Sequence, residues 1–62
     1  MSLLNVSETA EALLLQYPNY YDTVDFGFIE EAVQNTFDDF HSKNQTRATL
    51  EEIHKHVIEN YI

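Results

Sequence analysis

The side chains that could support metal binding or acid–base chemistry are three histidines and eleven carboxylates, in a chain without cysteine. The histidines are His41, His54 and His56. On a helix, residues two apart point about 200° from each other, so His54 and His56 cannot share one ion. Helical metal pairs need i, i+3 or i, i+4 spacing. The expectation is therefore no metal and no cofactor. His54 falls inside an apolar stripe, as a packed, hydrogen-bonded histidine would. His56 follows Glu52 by four residues, which predicts a surface pair between them.

Glu30, Glu31, Asp38 and Asp39 lie on one predicted helix. Glu31 and Asp38 project within about 20° of each other, two turns apart. Asp39 lies further round, and Glu30 flanks the apolar stripe. Paired carboxylates perform acid–base work only where a cleft shifts their pKa values. A chain of 62 residues has little room for such a cleft. These residues read as a solvated acidic face, or as one that meets a basic partner, including by imitating nucleic-acid charge. No nucleophile constellation is present: there is no GxSxG and no glycine-rich phosphate loop in a chain with one Gly. The sequence predicts a protein that is not an enzyme.

The elements that position these groups are helical. Period-2 alternation is weak and helical periodicity strong. The first helix spans about 6–17, with Asn5 as N-cap and Glu8 three residues on. Its stripe is Val6, Ala10, Leu13, Leu14 and Tyr17, and Pro18 stops it. Residues 18–22 read as a connection. The second helix spans about 25–41, capped by Thr23 or Asp25, with Phe26, Ile29, Val33, Phe37 and Phe40 as its core stripe. Residues 42–48 form the second connection. Thr49-Leu-Glu-Glu52 is a capping box, with Ala48 and Ile53 as a weak staple. The third helix spans about 50–61 on Leu50, Ile53, Val57, Ile58 and Tyr61. The expected fold is all-α, a single domain over residues 1–62 arranged as a compact three-helix bundle.

Composition sets further limits. The formal charge is −8, from three basic against eleven acidic residues. That opposes nucleic-acid phosphates and anionic lipid. The outer face of the last helix carries Glu51, Glu52, Lys55 and Glu59, the reverse of a recognition helix, so direct helix-turn-helix DNA binding is disfavoured. No apolar run approaches the ~20 residues of a membrane span, and the N-terminus lacks the features of a signal peptide. The expected setting is cytoplasmic. Folding should bury ~6,400 Å², and the apolar share contributes about 95 kcal/mol. Ordering the chain costs about 90 kcal/mol. A monomer this marginal, with no disulfide, gains most readily from oligomerisation.

Two apolar residues do not fit the stripes. Leu15 projects between Glu8 and Glu11, and Phe28 near Asn35 and Asp39. With Tyr20 and Tyr21 in the connection and Leu3 and Leu4 near the start, they exceed what so small a surface usually carries. The expected interface residues are Leu15, Tyr20, Tyr21 and Phe28, with Glu30, Glu31, Asp38 and Asp39 as the acidic face. The run Leu14-Leu-Gln-Tyr-Pro18, then Ile29, Val33 and Phe37, then a third short helix, resembles small bacterial three-helix bundle dimerisation domains. Those carry a helix ending in aromatic-Pro followed by one with spaced Val and Phe. The third helix here departs from them: it is acidic and lacks an Arg-rich stretch. The resemblance implies self-association, names no activity and carries over no functional residue. The expected function is an acidic protein–protein interaction module, a homodimer or the partner of a basic protein. The alternative is an inhibitor that mimics nucleic-acid charge.

Overall fold

The computed structural model describes residues 5–44 and 47–62. Among these residues four helices follow in order: α1 (Val6–Gln16), α2 (Pro18–Tyr21), α3 (Phe26–Ser42) and α4 (Leu50–Asn60). No strand occurs among the described residues. α1 packs on α3 and α4, and α3 packs on α4. Leu3 and Leu4 lie outside the described residues.

The ends of the helices follow from local chemistry. Asn5 Oδ1 accepts from the Glu8 amide at 2.7 Å, and the Glu8 carboxylate accepts from the Asn5 amide. Thr49 and Glu52 make the same reciprocal pair at the start of α4, at 3.2 and 2.9 Å. Each box satisfies amides that would otherwise be orphaned in the first turn. α3 begins at Asp25, whose side chain makes no cap bond. It ends at Ser42 with Lys43 as its cap, followed by Asn44, the one non-glycine residue with positive φ among those described (59°). Asn tolerates that left-handed conformation better than most residues, which suits it to close a helix.

Pro18 both ends one helix and starts the next. It drives Tyr17 out of the helical region, to φ −130° and ψ 58°. Its own fixed φ then suits the first position of α2. The stretch 18–22, expected as a plain connection, is therefore a helical turn closed by Asp22 N–H to Pro18 C=O at 2.9 Å. A turn of this length is too short to stand alone. It is held by Tyr21, which points into the core and is fully buried.

The core comprises Ala10 and Leu13 of α1, Tyr21 of α2, Ile29, Ala32, Val33 and Phe40 of α3, and Ile53 and Val57 of α4. The buried face of α3 is rotated from the expected stripe. Ala32 and Thr36 are buried, Phe37 is half-buried, and Phe26 is 40% exposed. α3 must meet both α1 and α4, so its inward face is wider than a single row. Small residues at 32 and 36 let a neighbouring helix come close. Phe26, at the very start of α3, lies beyond that contact and is no core residue.

Candidate functional site

Four of the five exposed large apolar side chains among the described residues fall within residues 15–28: Leu15 (75%), Tyr20 (53%), Phe28 (44%) and Phe26, with Ile62 the fifth. Leu15 and Phe28 point outward as their helical projections predict, since α1 and α3 bury Leu13 and Ile29 instead. Tyr21 is a correction. It is buried rather than displayed, because the turn of α2 sends it inward while Tyr20 faces out. Phe26 takes its place among the exposed residues. Exposed Asp22, Asp25 and Glu31 lie in or next to this segment, and no Lys or Arg does.

The acidic face is less uniform than the sequence implied. Glu30 is half-buried and accepts from the Ser7 hydroxyl at 2.6 Å, tying α3 to α1. Asp38 accepts from Gln34 at 3.3 Å. Asp39 accepts from both His56 and Tyr61. Glu31 is exposed. The four carboxylates thus do not form a common free surface. Asp39 in particular is committed to holding α4 on α3.

His56 is the second correction. Its Nε2 donates to Asp39 Oδ2 at 3.0 Å, not to Glu52, which is occupied in the Thr49 capping box. The His56 ring packs edge-on against Phe40, with centroids 5.1 Å apart, and tilts against Tyr61 at 5.8 Å. The Tyr61 hydroxyl donates to the same Asp39 oxygen. That bond, with the one from His56, holds the Asp39 carboxyl below its usual range and raises the Tyr61 phenol. A carboxylate that accepts two donors is stabilised in its ionised form.

His54 has a different environment, as a packed histidine should. Its ring stacks on Tyr17, with centroids 3.8 Å apart and planes 5° apart. Tyr20 and Tyr21 approach it edge-on at 4.9 and 5.6 Å. The Tyr21 hydroxyl lies 2.8 Å from Nδ1 and donates to it in the neutral tautomer that carries its proton on Nε2. Loss of solvent holds the His54 pKa below its usual range, opposed by Glu51. Burial, then Tyr17, pushes the Tyr21 phenol up to about 12, so it keeps its proton. Three tyrosines from α1's end and α2 therefore enclose one face of α4.

Sequence reasoning did not find either cluster in full. Asp39 and His56 are separated by 17 positions, and no helical periodicity links residues on different helices. A partial signal was present for Tyr17: Pro18 had to stop α1 there and turn the chain. Two further buried groups were missed, Thr9 and Thr36, whose hydroxyls have no hydrogen-bond partner among the described residues. Both sit three or four residues from core positions, Thr9 from Val6 and Leu13, Thr36 from Val33 and Phe40, which is the signal that marks them.

No cluster of three or more potential metal ligands occurs among the described residues. No helix of the described residues is long and apolar enough to cross a membrane. The exposed segment 15–28 and the two histidine clusters are the features from which a function must be argued, because comparison with protein-family models, curated proteins and solved structures yields no match.

Proposed function

We propose that the protein is a small non-enzymatic interaction module whose three long helices form a self-associating bundle. Leu15, Tyr20, Phe26 and Phe28 are the side chains that contact the second copy. The observation that carries this reading is the concentration of exposed apolar side chains in one segment. Scattered exposed residues need no explanation, but several in one short segment, on a chain of marginal size, fit an interface. Tyr20 suits the role because it buries area while keeping a polar tip. The resemblance to dimerisation domains points the same way.

Asp22, Asp25 and Glu31 rim the segment and set its charge preference. Between two copies they repel, so salt strengthens the homodimer or leaves it unchanged. Toward a basic partner they steer association and give specificity more than affinity. The nucleic-acid-mimic reading has less support. It needs a common free acidic surface, and three of its four carboxylates are engaged within the fold. Direct DNA binding by α4 is opposed by its exposed Glu51, Glu52 and Glu59.

Replacing Phe28 with Asp tests the proposal. The expected result is a helical protein, by circular dichroism, that no longer self-associates in sedimentation. A variant that keeps both its helicity and the assembly state of the parent would overturn it.

A further inference from the structure

His54 and His56 stand two residues apart on α4 and meet opposite surroundings. His54 faces Tyr17 from the end of α1 and Tyr20 and Tyr21 from α2, with Glu51 of its own helix as the charged group near it. No carboxylate pairs with it among the described residues. His56 faces Asp39 and Phe40 of α3 and Tyr61 beyond α4, with Lys43 acting on Asp39 and Asp38 on Tyr61.

We infer that α4 carries a proton-operated release, in which protonation of His54 frees the α2 turn while His56 keeps α4 clamped to α3. The geometry gives the reason. With its proton on Nε2, neutral His54 accepts at Nδ1 from the Tyr21 hydroxyl, 2.8 Å away. A proton added at Nδ1 turns that atom into a donor, so the Tyr21 oxygen can only accept from it and the hydroxyl hydrogen must rotate away without an acceptor. Tyr21 is fully buried, so its freed hydrogen finds water only if α2 moves outward. The added charge also sits among phenol rings without a paired carboxylate. At His56 the same proton places a positive charge 3.0 Å from the Asp39 carboxylate, which strengthens the existing contact. The lowered proton affinity of His54 agrees with this.

α2 is the element that yields because four residues cannot hold a helix alone. Its release also moves Tyr20, which packs on Tyr17 and His54. Acidification would then alter one edge of the segment proposed to bind a partner. The release itself does not depend on that proposal.

Amide hydrogen exchange of the full chain at about pH 7.5 and about pH 5.5, corrected for intrinsic rates, tests the inference. The reporters are the amides of Tyr20, Asp22 and Val24, whose acceptors lie at Tyr17, Pro18 and Tyr21. Their protection is expected to fall at least about threefold on acidification, while that of α3 and the Tyr61 amide holds. His54→Phe keeps the stacked ring, removes the titrating group and should abolish the change. If that variant does not fold, Tyr21→Phe removes the opposing hydroxyl and should shrink the response. Unchanged protection in α2, an equal fall in His54→Phe, an undiminished response in Tyr21→Phe, or a uniform loss across all helices would overturn it.

Discussion

Helix α4 and the segment 15–28 use similar residues to different ends. In α4, Leu50, Ile53, Val57 and Ile58 are all buried or half-buried, and Glu51, Glu52, Lys55 and Glu59 are exposed. Its binary pattern is satisfied by contact with α1 and α3. In 15–28, Leu13's neighbour Leu15 faces away from the core, Tyr20 and Tyr21 divide between surface and interior, and Phe26 and Phe28 remain outside. The lesson is that the excess of apolar surface is local. One part of the molecule buries its apolar face within the chain, and another carries apolar side chains that the chain leaves exposed.

The largest way to break the comparison is to damage the complete part. Leu13→Ala removes a fully buried side chain and should cost roughly 2–5 kcal/mol. In a protein of this size that loss should appear in thermal melts as a protein largely unfolded at ambient temperature. Leu15→Ser, two positions along, should change the stability of the isolated chain by less than about 0.5 kcal/mol, while lowering association. Equal thermal effects at 13 and 15 would remove the distinction.

A smaller effect sharpens it. Tyr21→Phe keeps the buried ring and removes the bond to His54. Denaturant unfolding should show a loss of about 1 kcal/mol at neutral pH. Its pH dependence carries a sign. The folded-state pKa of His54 is lowered, so the unfolded chain takes up the proton first as pH falls. The contribution of neutral His54 is complete above the unfolded value, near 6.5, and is lost as pH falls from there through the folded value. Asp39 behaves likewise at lower pH. The donors from Tyr61 and His56 depress its pKa, so its contribution is present above the ordinary carboxylate range and lost below it. A stability curve with no slope below pH 6.5 would contradict the His54 assignment.

The smallest expected effect concerns Thr36, buried with an unpartnered hydroxyl. Thr36→Val keeps the shape and removes the unsatisfied group. It should leave stability unchanged or raise it by up to about 1 kcal/mol, read from the shift in denaturant midpoint.

Much of the helical framework was legible because its determinants are local. Two capping boxes, Asn5–Glu8 and Thr49–Glu52, fixed two helix starts, and Pro18 fixed one end. The outward direction of Leu15 followed from helical projection alone. What escaped depends on contacts between distant parts of the chain. α2 is helical because Tyr21 reaches the core and Pro18 suits a first turn, not because its residues favour helix. The pairing of His56 with Asp39 rather than Glu52 follows from how α3 and α4 lie together. A same-helix rule could not choose between those carboxylates. Phe26 and Thr36 changed places relative to expectation because α3 contacts two helices at once.

The most direct test of the account is the solution mass of the unmodified protein by light scattering, across a dilution series at low and high salt. The account predicts a dimer that dissociates on dilution and is as strong or stronger at high salt, since screening relieves the repulsion between two chains of charge −8. A folded monomer at every concentration and both salt levels would contradict self-association through the 15–28 segment.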